Sequence, residues 1–286
     1  MPASAATRAR RWSSRADPVA PAFRSVAWLA VPLAALLATA AGGLGAQERA
    51  IPLDKLRSGA SYAGDRIRAQ QADDFSNPAM LWVERGGRLW SAPAGKAGQS
   101  CAGCHGEARV SMKGVAARYP VIDAASGRLL SVEDRVRQCR GERQQAPVPA
   151  HESEELLSLS SYVGHQSRGM PLKVAIDGAA RERFEAGRTL YYTRIGQMNM
   201  ACASCHEANQ GRRLYAETIS QGHPNAYPIY RLEWQATGSL ERRLRSCFSG
   251  VRAELLPYGA PEARDLMLYL AWRAEGLAIE TPGVRR

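Results

Sequence analysis

The feature that most constrains this chain is a five-residue motif, Cys-x-x-Cys-His, which occurs at residues 101–105 and again at 202–206. Two thiols at this spacing can bond to the vinyl groups of a haem, and the adjacent histidine then supplies the proximal ligand of the iron. We therefore predict two covalently attached c-type haems. The residues that would hold them are Cys101, Cys104 and His105 for the first, and Cys202, Cys205 and His206 for the second.

The N-terminus predicts export. Five arginines precede an apolar, alanine-rich stretch at residues 26–41, and a Leu-Gly-Ala sequence follows at 44–46. This order of charge, apolar run and small residues is typical of a cleaved signal peptide. The run is too short and too rich in alanine for a comfortable membrane span. We expect a periplasmic protein without a stable membrane span.

The net charge indicates which kinds of binding partner and substrate to expect. The 286 residues carry a formal charge of +11, with only 7% aromatic residues. A basic surface favours an acidic protein partner or an anionic substrate. Because no basic block is interleaved with aromatic residues, nucleic-acid binding is not expected.

The two halves of the chain resemble each other beyond the haem motifs. A Tyr-Pro pair follows each motif, at 119–120 and at 227–228, and the pattern Ser-φ-Glu-x-Arg-φ-Arg-x-Cys, with φ apolar, occurs at 131–139 and at 239–247. A period of about a hundred residues indicates duplicated domains rather than a solenoid. We predict an all-α protein of two tandem cytochrome c-like domains. The expected boundaries are signal peptide 1–46, N-terminal lead-in 47–78, domain 1 at 79–172, linker 173–186 and domain 2 at 187–286.

Local signals place several helices. Ser131 and Ser239 are of the type preferred at helix N-caps, and Glu133 and Glu241 follow where a helix dipole favours anions. Helical apolar spacing recurs at 156–163 and 264–272, a further helix is possible around 62–74, and little of the sequence indicates strand.

Two cysteines remain outside the haem motifs, Cys139 and Cys247, and they recur in register. A soft donor in each half suggests a thiolate as the second axial ligand of each haem. Two alternatives stay open. One is a Cys139–Cys247 disulfide, since the compartment is oxidising. The other is methionine ligation, for which the candidates are Met112, Met170, Met198, Met200 and Met267.

An arginine precedes each of these cysteines by four residues, Arg135 before Cys139 and Arg243 before Cys247. Residues four apart lie on one face of a helix. A guanidinium there would stabilise a thiolate and could hold a sulfur oxyanion in its fork. A surface arginine with no such role is the alternative for either residue taken alone.

These motifs together resemble the SoxA family, the larger subunit of the SoxAX cytochromes of bacterial sulfur oxidation. The resemblance implies an L-cysteine S-thiosulfotransferase, which conjugates thiosulfate oxidatively to a cysteine of the SoxY carrier in SoxYZ. It implies a monohaem SoxX subunit as partner and a c-type cytochrome as acceptor of two electrons. It also implies that Cys247 is the catalytic cysteine persulfide and an axial ligand of haem 2, that Arg243 binds substrate, and that Cys139 is an axial ligand of haem 1.

Two other functions fit the motifs. A plain dihaem electron carrier would have methionine or histidine as the sixth ligands and no sulfur chemistry. A haem-containing binding or sensor module of a respiratory complex is the third hypothesis.

Overall fold

The computed structural model describes residues 49–286, and helices are its main regular structure. The predicted signal peptide, 1–46, lies outside the described residues. The helices are α1 (Asp65–Ala72), α2 (Met80–Ser91), α3 (Cys101–His105), α4 (Ala108–Ser111), α5 (Val132–Gln138), α6 (Glu154–His165), α7 (Arg181–Tyr192), α8 (Cys202–His206), α9 (Leu240–Gly250) and α10 (Pro261–Arg273).

Short strands accompany the helices. They are β1 (Val121–Ile122), β2 (Leu129–Leu130), β3 (Arg213–Leu214), β4 (Glu217–Thr218), β5 (Ile229–Arg231), β6 (Ala236–Gly238) and β7 (Gly283–Arg285). β1 pairs with β2 and β3 with β4, whereas β5 lies between an antiparallel β6 and a parallel β7. The prediction of an all-α chain is therefore confirmed in its helical character and corrected in its strands. Segments of two or three residues are too short to show an alternating pattern.

The two halves of the described chain share an order of elements, although α4 occurs in the first half alone and the hairpin β3–β4 in the second alone. A long helix (α2 or α7) is followed by the helix of the haem motif (α3 or α8), a β-hairpin, a serine-capped helix (α5 or α9) and a closing helix (α6 or α10). α2 packs against α6, and α7 packs against α10. The segment expected to be a linker, 173–186, contains the first residues of α7.

The predicted helix starts are confirmed. The Ser131 hydroxyl accepts a hydrogen bond from the backbone N–H of Asp134 at 3.2 Å, and Ser239 accepts one from Arg242 at 3.1 Å. Each serine directly follows the second strand of its hairpin, β2 or β6. The hairpin and the cap together fix where each cysteine-bearing helix begins.

Glycines allow the paired helices to touch. A Cβ atom added at Gly86 of α2 would lie 2.1 Å from the Ser158 carbonyl oxygen of α6. One added at Gly187 of α7 would lie 2.0 Å from the Asp265 carbonyl oxygen of α10. Only glycine fits at such an approach of backbone to backbone, so the two crossings are built alike.

The beginnings of α5 and α9 meet at one buried arginine. The guanidinium of Arg264 in α10, only 4% exposed, forms a two-armed ion pair with Asp134 of α5. Its third contact is Glu241 of α9, at 2.8 Å. A buried guanidinium requires such partners, because an unpaired charge in the interior is strongly destabilising. Arg264 therefore ties the first turns of the two helices together.

No helix within residues 49–286 is both long enough and apolar enough to cross a membrane.

The close contact between α7 and α10 at Gly187 can be tested by substitution. Gly187→Ala should lower the free energy of unfolding by about 2 kcal/mol, because the new methyl group forces α7 and α10 apart. Chemical denaturation of the haem-loaded protein measures this change. Gly250→Ala is the matched control, since Gly250 is exposed at the end of α9 and a Cβ there meets nothing within 4 Å. Equal effects of the two substitutions would contradict the close crossing.

Candidate functional site

Each haem motif forms a single helical turn. In α3 the hydroxyl of Ser100 caps the turn by accepting from the backbone N–H of Gly103 at 2.9 Å. In α8 the hydroxyl of Ser204 accepts from the backbone N–H of Ala201 at 3.1 Å. Cysteines three residues apart on such a turn lie on the same face. The two thiols of each motif are therefore presented together, as covalent attachment to one haem requires.

His206 is oriented as an iron ligand would be. Its Nδ1 lies 2.8 Å from the carbonyl oxygen of Ser220. A carbonyl only accepts, so Nδ1 carries the proton and Nε2 is left for a metal. Gly222, at φ +75°, lies against the ring, and a Cβ there would be 2.8 Å from the His206 Cγ. Burial lowers the pKa of His206 to about 4, which keeps the imidazole neutral.

The surroundings of both motifs suit a haem. The first motif lies beside Trp90, whose ring centroid is 5.7 Å from that of the exposed His105. Near the second motif, His223 Nδ1 and the Tyr191 hydroxyl are buried without hydrogen-bond partners. Burial lowers the pKa of His223 to about 3. Polar atoms left unpaired in this way fit a site that a polar-edged prosthetic group fills.

The structure brings each leftover cysteine to its own haem motif. Cys139 interacts electrostatically with Cys104, and Cys247 does so with both Cys202 and Cys205. Burial raises the pKa of the Cys202 thiol to about 12. Burial also raises the pKa of Cys139, an effect that Arg135 and Arg143 oppose.

No disulfide is present in the part of the chain that the structure describes, where all six cysteines are free. The alternative of a Cys139–Cys247 bridge is therefore not realised.

The two cysteines differ in the conformation of the backbone around them. Cys139 follows the end of α5 and begins a π-helical turn, Cys139–Arg143, whereas Cys247 lies inside α9.

The methionines lie in varied surroundings. Met267 is buried in α10 with its sulfur 3.6 Å from the guanidinium of Arg264, and Met198 is 52% exposed. Met170 packs against Gly114, and Met112 packs in the cluster that contains Trp90. None of these positions recurs in both halves in the way that the cysteines do.

The first arginine of the repeated pattern, Arg135, is fully engaged. Its guanidinium donates to Asp123 at 2.8 Å and to the side-chain oxygen of Gln138 at 2.7 Å, and Nε lies 3.3 Å from the Tyr119 hydroxyl. Hydrogen bonds from Ser126, followed by those from Arg135, lower the pKa of Asp123 to about 2. A carboxylate that is ionised at neutral pH therefore neutralises Arg135.

The second arginine, Arg243, is much less engaged. It interacts electrostatically with Cys247 and Tyr227, and its nearest carboxylate oxygen belongs to Glu217 at 3.9 Å. Its side chain is 31% exposed. The two arginines occupy matching positions in the sequence, but only Arg135 has a carboxylate within hydrogen-bonding distance.

This difference comes from a position that the sequence reasoning did not single out. Counting from the Tyr-Pro pairs, Asp123 in the first half corresponds to Arg231 in the second. Asp123 binds Arg135, whereas Arg231 binds two carboxylates, Glu217 and Glu233. Extending the match between the halves by three residues beyond each Tyr-Pro pair would have revealed the exchange of charge.

A family model described as the SoxA/TsdA cytochrome c domain matches residues 85–172. Domains of this kind bind haem c, in agreement with the motif at Cys101 and with the surroundings just described.

Curated relatives match most of the chain. A protein of Pseudaminobacter salicylatoxidans named L-cysteine S-thiosulfotransferase subunit SoxA is 42% identical over 82% of this chain and 82% of its own length. The protein of the same name from Rhodovulum sulfidophilum is 38% identical over 81% of each. A chain of the crystal structure of SoxXA from P. pantotrophus superposes with a TM-score of 0.78 at 39% identity. That match covers 81% of this chain and 87% of the solved one. The resemblance predicted from the motifs is thus confirmed, and the chain belongs to the SoxA family.

Proposed function

We propose that this chain is the dihaem catalytic subunit of a periplasmic SoxAX-type L-cysteine S-thiosulfotransferase. The observation that carries the proposal is the pairing of Cys247 with an arginine, Arg243, whose single ion pair within the described residues is the long 3.9 Å contact to Glu217. A thiol beside a half-buried cation is suited to receive a sulfur oxyanion. The names of the relatives support the same reaction.

In this proposal the chain holds two haems. Cys101, Cys104 and His105 would hold the first, with Cys139 as a further iron ligand. Cys202, Cys205 and His206 would hold the second, with Cys247 as a further iron ligand. The repeated order of elements supports an internal duplication with domains at 79–172 and 187–286, joined through 173–186. The N-terminal sequence supports export to the periplasm.

The reaction joins a carrier thiol to thiosulfate. Carrier thiol and thiosulfate dianion give the carrier S-thiosulfonate, one proton and two electrons, as a sulfur–sulfur bond forms. Haem c, when bound, would accept electrons one at a time beside Cys247. The residues of this chain would bind and orient. Arg243 would neutralise the oxyanion end of thiosulfate, and the persulfide of Cys247 would face the terminal sulfur of thiosulfate, which bonds to the carrier, and would be unchanged at the end of the cycle.

The second site is favoured over the first by charge. In the first half Asp123 already occupies the guanidinium of Arg135, and a dianion would have to break a short ion pair to bind there. Arg243 has only the longer contact to Glu217. This asymmetry supports the assignment of catalysis to Cys247, which sequence symmetry alone left open between the two cysteines.

The proposed partners follow from the family. The solved neighbour is a SoxXA complex, which supports a SoxX-like monohaem subunit for this chain. The SoxYZ carrier would be the protein substrate and a c-type cytochrome the electron acceptor. The basic charge of the chain suits both thiosulfate and an acidic protein.

Replacing the cysteines tests the assignment. Cys247→Ser should abolish thiosulfate-dependent conjugation to SoxYZ, measured by mass spectrometry of the carrier, while both haems stay attached. Cys139→Ser is the matched control and should retain more than about a tenth of the activity, because it changes the axial position of haem 1 alone. Full activity of Cys247→Ser would instead favour the plain dihaem electron carrier.

Replacing the arginines tests the charge argument. Arg243→Gln should raise the KM for thiosulfate about tenfold or more, because a charge-assisted hydrogen bond to the dianion is lost. Steady-state kinetics over a range of thiosulfate concentrations measures this effect. Arg135→Gln should leave KM within about twofold of the unchanged protein, since its guanidinium is already paired. A larger rise in KM for Arg135→Gln than for Arg243→Gln would reverse the assignment.

A further inference from the structure

One carboxylate lies between two arginines beside Cys247. Glu217 forms a close ion pair with Arg231 through one oxygen, and its other oxygen lies 3.9 Å from Arg243. Arg231 has a second carboxylate partner, Glu233, at 3.0 Å. Within the described residues, Arg243 has no carboxylate in ion-pair range except Glu217.

The two arginines differ in burial. The Arg231 side chain is 5% exposed, and that of Arg243 is 31% exposed. Both interact electrostatically with Tyr227, as Cys247 does, so the four side chains share one neighbourhood. Burial raises the pKa of Tyr227, so its hydroxyl is neutral and adds no negative charge there.

The position of Glu217 allows its side chain to move away from the two arginines. Glu217 is the first residue of β4, in a hairpin that pairs only β3 with β4, and the neighbouring Tyr215 near the tip is 95% exposed. The Glu217 side chain is itself 35% exposed. A rotation about its side-chain bonds brings the carboxylate into water without disturbing the backbone pairing.

We propose that Glu217 is a counter-ion that the anionic substrate displaces, and that Arg231 is then a second anion-binding residue beside Arg243. This proposal rests on the proposed function, because it names how that same site selects its substrate. With Glu217 in place, a second anion at Arg243 meets a like charge. With Glu217 turned away, the guanidinium groups of Arg243 and Arg231 can both contact the entering ion, and Arg231 keeps Glu233 as its other partner.

The arrangement selects dianions. A monoanion such as chloride replaces one negative charge by another and gains nothing over the bound carboxylate. A dianion such as thiosulfate places twice that charge against two guanidinium groups, and its tetrahedral oxygens match their forks. Glu217 is therefore a specificity-determining residue.

The first half lacks this device. Asp123 stands where Arg231 stands in the second half, so a fixed anion replaces the second cation. Asp123 also accepts from the backbone N–H and the hydroxyl of Ser126, at 3.0 and 2.7 Å, and its side chain is only 7% exposed. It cannot turn away, and the site at Arg135 stays closed to anions.

Glu217→Gln tests the proposal, since the amide still accepts a hydrogen bond from Arg231 but no longer competes for Arg243. We expect the KM for thiosulfate to fall about threefold with kcat within about twofold, and chloride to become a clearly stronger inhibitor. Calorimetric titration of the haem-loaded full chain with sulfate, an unreactive dianion, should show tighter binding. Unchanged chloride inhibition and unchanged sulfate affinity, or a raised KM, would overturn the proposal.

Glu233→Gln is the graded comparison, because Glu233 pairs with Arg231 at 3.0 Å and acts on Arg243 only from beyond ion-pair range in the described residues. Its effects on sulfate affinity and chloride inhibition should be smaller than those of Glu217→Gln. In the Glu217→Gln background, Arg231→Lys keeps the charge and removes the guanidinium fork, and should lose about threefold in sulfate affinity. No loss would exclude Arg231 from the anion site.

The sulfate titrations need no turnover, so they separate this proposal from the proposed function. If Cys247→Ser stays active while Glu217→Gln binds sulfate more tightly, the anion site stands and the sulfur-transfer role of Cys247 fails. If Cys247→Ser is inactive and Glu217→Gln binds sulfate as before, the counter-ion proposal fails alone.

Discussion

The contact on which the arrangement of both sites depends is the buried guanidinium of Arg264. It joins Asp134 in the first turn of α5 to Glu241 in the first turn of α9. These two helices carry the arginine of each site, and each leads into or contains the corresponding cysteine. Because a buried charge must keep its partners, the starts of the two helices are fixed relative to each other. The serine caps fix the residue at which each helix begins.

On this shared frame the halves differ chiefly in charge. The hairpin that precedes α5 ends its first strand just before Asp123, whereas the equivalent strand of the second half ends in Arg231. Where the first half has Asp123, which neutralises Arg135, the second half has Arg231, and the result is a cationic site beside Cys247. Similar backbones thus hold an arginine that is closely paired with a carboxylate beside the first haem motif and one that is less closely paired beside the second. The difference lies in side chains on similar elements, which agrees with the general separation of fold from function.

Many features of the fold and of the two sites could be predicted from the sequence, because they depend on patterns of neighbouring residues. The haem motifs, the caps at Ser131 and Ser239, the closing helices α6 and α10, and the family all follow from residues close together in the chain. The strands could not be predicted, because two or three residues show no period. The partners of Arg135 and Arg243 lie 12 and 26 residues away, on hairpins whose position only the folded chain defines. The repeat between the halves was the one sequence signal that could have exposed the exchange of Asp123 for Arg231.

We propose that sulfur chemistry occurs at Cys247 and not at its counterpart Cys139. Peptide mass spectrometry of the haem-loaded protein, isolated from its own host and protected from reductants, can decide between the two cysteines. We expect one additional sulfur atom on the peptide that contains Cys247 and none on the peptide that contains Cys139. An additional sulfur on Cys139, with Cys247 unmodified, would contradict this assignment.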